Sequence, residues 1–239
     1  MRRTPLVYSR AVDAMDEFRT SLESVLNDLL AQGRRVTDMC LQSVESYFSI
    51  STEVAEEVIR ADATVDHIDV QIERDCVGLM RLKPESEHDL RWILTIVKVN
   101  NELERIADCA VNIAETVLTA DDPERPDTFQ VMTNSVVGML RDTVDALSRR
   151  DVDLAQRVLG FDDAVDQFKR ELVERTHAAL ADGRVSVASA LHLLKVVRSA
   201  ERIADHCTNI CEQVIYLQSG KIVRHLPTGW TQPELPADE

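Results

Sequence analysis

Apolar residues recur every three or four positions along most of the chain, which is the spacing of one buried helix face. Glycine, proline and short polar stretches interrupt this pattern and divide it into six predicted helices. These helices cover about residues 5–48, 52–82, 86–119, 128–149, 152–181 and 186–218. Glycine and proline are scarce, with seven of each, and aromatic residues make up 4% of the sequence. The pattern and the composition together predict an all-α fold.

Local signals mark where several of these helices begin and end. Thr4 followed by Pro5 is typical of a helix start, and residues 86–89 (Ser-Glu-His-Asp) have the form of a capping box. Gly183 suits the C-terminal cap of the fifth predicted helix. Gly33 predicts a bend in the first helix, or a break of that helix into two pieces.

One proline-rich segment separates two groups of three helices. Residues 121–127 contain two prolines and several charges, and they cannot continue a helix. We therefore assign residues 1–120 to a first three-helix bundle, 121–128 to a linker and 129–219 to a second three-helix bundle. Residues 220–239 contain three further prolines and are expected to form an irregular C-terminal tail.

A twelve-residue phrase occurs twice, as ERIADCAVNIAE at residues 104–115 and as ERIADHCTNICE at residues 201–212. Eight of the twelve positions are identical. The copies lie 97 residues apart, and the helices before them align at an offset of 100 residues, which sets 62–66 against 162–166. The three-residue difference falls in a loop, where such changes are tolerated. The chain is therefore predicted to contain two copies of one three-helix unit.

Both copies of the phrase carry two acids four residues apart, and so do the helices that precede them. Residues at this spacing are neighbours on one face of a helix. On a helical projection each pair lies at the edge of the apolar stripe rather than on the opposite side. The four pairs are Asp62/Asp66, Glu104/Asp108, Asp162/Asp166 and Glu201/Asp205.

Carboxylates held close together repel one another and resist desolvation. A hard cation relieves both costs, and oxygen ligands suit such ions. The alternative is a solvated acidic face that is neutralised locally by arginines such as Arg105 and Arg202. Because four pairs repeat in register, we predict that these acids bind divalent or iron-type metal ions. Carboxylates select weakly among such ions, so Fe, Mn, Mg and Zn all stay open.

The formal net charge of -15 makes nucleic acid and anionic lipid surfaces poor partners, because the general field is repulsive. Five cysteines without a CxxC spacing predict reduced thiols in the cytosol. Neither a signal peptide nor an apolar run of about 20 residues is visible, so we expect a cytoplasmic protein that does not itself span a membrane.

A metal-dependent enzyme on a helical bundle, such as a di-iron oxidase or a phosphatase, is the alternative function. Glu85/His88 and Glu174/His177 have the ExxH spacing of di-iron bundles, but they are not equivalent in the repeat. Cys207 and Cys211 share a helix face and are interpreted as small core residues. Neither a strand-turn-helix elbow nor a Gly-rich phosphate loop appears, and no motif indicates a nucleophile. We therefore predict a protein that is not an enzyme, and a purely structural helical scaffold is a third interpretation.

The doubled phrase Glu-Arg-Ile-x-Asp-x-x-x-Asn-Ile-x-Glu, on two three-helix halves, resembles the PhoU family of phosphate-uptake regulators. Residues 84–91 (PESEHDLR) are similar to the Pro-x-x-x-x-Asp-Leu-Arg turn of that family. The resemblance covers about residues 5–218. The second copy lacks the turn and has Ser-Val-Ala-Ser-Ala at residues 186–190 instead.

The resemblance implies two similar three-helix bundles around a pseudo-twofold axis, with metal clusters held by E(D)xxxD motifs on their surface. The matching positions are the eight acids named above. The resemblance also implies a cytoplasmic regulator that keeps the phosphate-starvation response off when phosphate is plentiful. Its expected partners are a phosphate ABC transporter, a histidine sensor kinase and a second copy of the chain in a homodimer.

Overall fold

The computed structural model describes residues 6–84, 86–120, 123–226 and 229–231. Helices dominate this part of the chain, as the apolar spacing predicted, and the all-α fold class is confirmed. Helices α1, α2 and α3 pack together, and α4 to α7 form a second group. The elements are α1 (Leu6–Ser49), α2 (Thr52–Arg81), α3 (Glu87–Thr119), α4 (Asp127–Arg149), α5 (Val152–Leu159), α6 (Asp162–Ala181), α7 (Val187–Ser219), β1 (Arg224–Leu226) and β2 (Gly229–Thr231).

Helix α1 is one continuous helix through Gly33, so the predicted break into two pieces is wrong. The glycine has a packing role instead. A Cβ atom at this position would lie 3.1 Å from Cγ2 and 3.3 Å from Cγ1 of Val144 on α4. Gly33 therefore allows a helix of the first half to lie directly against a helix of the second.

The predicted fifth helix is interrupted, because α5 ends at Leu159 and α6 begins at Asp162. The amide of Phe161 donates to the carbonyl of Val158, which tightens the chain into a turn between the two helices. Gly160 lies in this turn, and glycine is a poor helix former. The residues that match Gly160 and Phe161 in the unbroken α2 are Arg60 and Ala61, which favour a helix. The interruption places Asp162 in the first turn of α6.

Several predicted caps are present. The hydroxyl of Ser86 accepts a hydrogen bond from the amide of Asp89, and this starts α3. Gly183 has a φ of 65°, and its amide donates to the carbonyl of Leu180 at the end of α6. Thr4 and Pro5, the predicted start of the first helix, lie outside the described residues.

A single hydrophobic core runs through both halves, with buried residues contributed by all seven helices. At one end Tyr47, Phe48 and Phe129 pack edge-on or tilted, with ring centroids 5.4 to 5.7 Å apart. The hydroxyl of Tyr47 donates to the carbonyl of Glu124 at 2.7 Å and so attaches the segment before α4 to the end of α1. The linker is therefore fixed to the core at this point.

Helices α3 and α7 form the largest contact between the halves and run antiparallel. Glu102 on α3 contacts His206 on α7, whereas Glu115, farther along α3, contacts Lys195, which lies earlier on α7. The first residues of the two copies of the repeated phrase therefore lie side by side, and the copies run in opposite directions.

The tail after Gly220 was expected to be irregular, but it contains a short antiparallel hairpin. Strand β1 pairs with β2, and residue 225 lies opposite residue 230. Tryptophan and threonine in β2 favour extended backbone. The three tail prolines, Pro227, Pro233 and Pro236, lie outside the described residues.

The close contact at Gly33 predicts different effects of alanine at two mid-helix glycines. Gly138→Ala on α4 places its methyl group in open space, so it should stabilise the protein by about 0.5–1 kcal/mol through helix propensity. Gly33→Ala meets Val144 and should be less stable than Gly138→Ala by on the order of 1 kcal/mol. Urea unfolding followed by circular dichroism measures both values. Equal gains in the two variants would contradict the proposed packing role.

Candidate functional site

The four predicted acids of the first half face one another across the groove between α2 and α3. Partial burial, and then the nearby charges of Asp66 and Asp108, raise the pKa of Asp62. The pKa of Glu104 is likewise raised by partial burial and then by Asp108, although Arg105 acts in the opposite direction. We call Asp62, Asp66, Glu104 and Asp108 the first acidic cluster. The structure therefore places four side chains of like charge, from two helices, close together.

The second half repeats this arrangement between α6 and α7. Partial burial, followed by the charges of Glu201, Asp162 and Asp166, raises the pKa of Asp205 to about 6. The side chain of Asp205 keeps an exposed edge, so its carboxylate can be reached from solvent. We call Asp162, Asp166, Glu201 and Asp205 the second acidic cluster.

Basic side chains neutralise part of each cluster. Arg105 pairs with Glu104 at 3.8 Å in the first half, as the alternative of a locally paired face predicted. In the second half Lys169 Nζ donates to Glu201 Oε1 at 2.5 Å, and Arg170 lies 3.8 Å from Asp166. Sequence reasoning named Arg202 for this role and missed Lys169. A signal was available, because Lys169 aligns with Asp69 at the 100-residue offset.

Asp69 is a further carboxylate of the first half that sequence reasoning missed. It lies on α2 seven residues after Asp62, and therefore on the same face. The amide nitrogen of Asn100 donates to Asp69 Oδ1 at 2.6 Å and to its backbone carbonyl at 3.0 Å. Partial burial, and then the charges of Glu73 and Asp66, raise the pKa of Asp69. Asp69 thus extends the first acidic cluster along α2.

The donor chemistry of both clusters fits a hard cation, since each combines carboxylate oxygens from two helices that repel one another when ionised. In the described part of the chain, no three His, Cys, Asp or Glu side chains stand close enough to hold one ion as they are placed. To complete the coordination of one ion, the partly exposed carboxylates must therefore change rotamer.

His206 lies between the halves, and its ring pairs with Glu102, which is not one of the eight predicted acids. Its Nδ1 is 2.7 Å from Glu102 Oε2, and the amide nitrogen of Asn209 donates to the same oxygen at 3.0 Å. Burial raises the pKa of Glu102, but these hydrogen bonds outweigh burial and hold the pKa below its usual range. The position of Glu102 in the repeat is Ser199 in the second half, so the repeat gave no signal for this contact.

Two other motifs have structural roles. Cys207 and Cys211 are fully buried in the core, which agrees with their interpretation as small core residues. His88 accepts a hydrogen bond from the indole nitrogen of Trp92 at 3.2 Å.

The two ExxH motifs do not join the acidic clusters in the described structure. Glu174 and His177 lie exposed on α6, and Glu85 lies outside the described residues. Among the described residues, no helix has the length and apolar character that a bilayer crossing requires.

Comparison with known proteins agrees with the duplicated architecture. A family model described as the PhoU domain matches residues 29–117 and again residues 129–214. The phosphate-specific transport system accessory protein PhoU of Serratia marcescens is 30% identical over 213 residues, which cover 88% of each chain. A PhoU homolog of Aquifex aeolicus is 34% identical and covers 85% of this chain and 94% of its own.

The fold is also similar to a solved structure. The crystal structure of the phosphate transport system regulatory protein PhoU from Streptococcus pneumoniae superposes with a TM-score of 0.82 and 26% identity, over 87% of this chain and 99% of that one. The family model matches most of each half, and the relatives align over most of the chain. This chain therefore belongs to the PhoU family.

Proposed function

We propose that this protein regulates phosphate uptake and the response to phosphate starvation, and that it does so without catalysing a reaction. Family membership over both halves supports this proposal, because relatives are named as accessory proteins of the phosphate-specific transport system. The observation that supports this proposal most strongly is the pair of acidic clusters at matched places in the duplicated family domain.

In this proposal the eight acids hold metal ions on the two bundle surfaces. Asp62, Asp66, Glu104 and Asp108 hold ions in the first half, and their four counterparts act in the second. A bound cation supplies positive charge, which reverses the sign of the local field and lets an acidic protein meet an anionic group. The carboxylates hold the ion at a defined place, because each is fixed to a helix whose other face is buried in the core.

We further propose that the protein works in the cytoplasm as a homodimer, beside a phosphate ABC transporter and a histidine sensor kinase. Exposed apolar residues at repeated positions support a role in docking. Leu90 and Leu94 are exposed near the start of α3, and Val187 and Leu191 occupy the matched positions on α7. Exposed apolar side chains of this kind are suited to protein partners.

The enzyme alternative gains no support from the described residues. A di-iron oxidase needs histidine ligands beside the carboxylates, whereas His88 pairs with Trp92 and His177 is exposed on α6. A regulatory role requires only that the clusters bind ions and that the apolar faces bind partners.

The regulatory proposal predicts the effect of removing the protein from its host cell. Deletion of the gene should raise transcription of the phosphate transporter genes severalfold in phosphate-rich medium, because a restraint on the starvation response is lost. Quantitative measurement of these transcripts tests this. Wild-type protein should restore repression, whereas a variant with Asn at Asp66, Asp108, Asp166 and Asp205 should not. Unchanged transcription after deletion would refute the proposed role.

The metal proposal predicts a ligand-dependent gain in thermal stability. With Mn²⁺ as the probe, an excess of about 100 times the Kd stabilises the folded state by about 2.7 kcal/mol, which corresponds to about 5–10 °C for a chain of this size. Replacing Asp62 with Asn and Glu104 with Gln should raise the melting temperature of the metal-free protein, because repulsion between facing carboxylates is removed. The same double variant should show a smaller gain with Mn²⁺.

Glu57→Gln is the matched control for this experiment. Glu57 is an exposed acid on α2 that lies five residues before Asp62, about 140° away around the helix. This variant should respond to Mn²⁺ as the wild type does. Equal responses of the wild type, the double variant and the control would show that the ion binds elsewhere.

A further inference from the structure

The two acidic clusters are alike in their acids but differ in the charges around them. At the matched positions of α2 and α6, the first half has Asp69 and Val70 where the second has Lys169 and Arg170. On the third helix of each half, Asn101 corresponds to Arg198.

These differences change the local balance of charge. The first cluster and Asp69 together have five carboxylates, and the matched positions supply one basic side chain, Arg105. The second cluster has four carboxylates and four basic side chains at the same positions: Lys169, Arg170, Arg198 and Arg202. At these positions acidic and basic side chains are equal in number in the second half, whereas acidic side chains outnumber basic ones in the first half.

The geometry shows that at least two of these basic groups neutralise acids of the second cluster. Lys169 Nζ lies 2.5 Å from Glu201 Oε1, and Arg170 contacts Asp166 at 3.8 Å. Arg198 and Arg202 line a cleft of about 610 Å³ together with Lys169, Glu201 and Asp205. The ammonium of Lys169 thus already provides a cation to Glu201, and the remaining repulsion centres on Asp205.

The first half shows a different arrangement at the matched place. Asn100, with a relative exposure of 1%, uses its amide nitrogen to bind Asp69 on α2. Its Oδ1 atom is buried and has no hydrogen-bond partner in the described structure. Asn100 lies one helical turn before Glu104, on the same face of α3. The first half therefore has, beside its surplus of carboxylates, a buried amide oxygen without a hydrogen-bond partner among the described residues, and amide oxygens are ligands of hard cations. The matched residue in the second half is Val197, which offers no such oxygen.

We propose that the two clusters have separate tasks: the first binds the divalent cation tightly, whereas Lys169 serves as a built-in cation that closes the second. This inference rests on the proposed metal binding and specifies which half binds the ion more tightly. The pairing of Lys169 with Glu201 gives the second half a fixed charge balance that does not depend on metal supply. The first half reaches a comparable balance only when an ion is bound.

Exchanging the acid and the base at the aligned positions 69 and 169 tests the proposal. Full-length protein without an affinity tag is freed of metal with a chelator and titrated with Mn²⁺ alone, and unbound Mn²⁺ is counted by electron paramagnetic resonance. Asp69→Lys should weaken the tight class of Mn²⁺ binding by at least about tenfold, because an ammonium enters the carboxylate cluster. Lys169→Asp should add a second tight class and raise the tightly bound Mn²⁺ about twofold, since the two halves then match.

Lys221→Asp is the control for net charge. Lys221 is exposed and follows the end of α7, outside both clusters, so the same charge change there should leave the number of tight sites as in the wild type. Circular dichroism checks that each variant is folded. The inference is overturned if wild-type protein binds Mn²⁺ equally in both halves, or if the Asp69→Lys variant binds Mn²⁺ as tightly as the wild type. Either result leaves the metal proposal intact. A wild type that binds no Mn²⁺ at millimolar concentration would overturn both.

Discussion

The antiparallel contact between α3 and α7 holds the two halves together and determines where the acidic side chains can lie. Each of these helices packs against its own bundle and also against the other, so most of its circumference is buried. Small residues such as Ala107, Ala110, Ala204 and Cys207 are fully buried along them. The acids of the two clusters lie on the strip of each helix that borders the groove toward α2 or α6. The apolar packing thus forces the acids of two helices to face each other.

Like charges held on rigid helices create an electrostatic cost that the chain reduces in two ways. In the second half, basic side chains from the same helices stand beside the acids, as Lys169 does at Glu201. In the first half fewer such groups are present. Repulsion persists in both halves, because the pKa values of Asp62 and Glu104 in the first and of Asp205 in the second are raised. Duplication therefore preserved the helical scaffold, while substitutions beside the acids gave the halves different electrostatic properties.

The helices and the acidic pairs could be predicted from the sequence because both depend on short-range periodicity. Apolar spacing located nearly every helix, and the i, i+4 acids came together across each groove as their faces indicated. The role of Gly33 could not be predicted, because it depends on Val144, which is more than a hundred residues away. The interruption at residues 160–161 was missed because a single glycine within a long helical pattern is often tolerated.

The ion pair of Lys169 with Glu201 was missed for a related reason. It joins two helices of the second half, whereas the acidic pairs were predicted from residues that the two copies share. The alignment itself contained the signal, since Lys169 of the second half stands where the first half has Asp69. The hydrogen bonds of Glu102 with His206 and Asn209 also join two helices, and this contact has no counterpart in the other copy.

The turn at Gly160 and Phe161 has a consequence for the nearest carboxylate. Asp62 lies ten residues into α2, where backbone amides are already used by the helix, whereas Asp162 is the first residue of α6. The unused amides at a helix start carry a partial positive charge that favours an anion there. Interrupting one helix therefore moves a duplicated aspartate from a neutral stretch of backbone to an electropositive one, so that even the peptide dipoles distinguish the two copies.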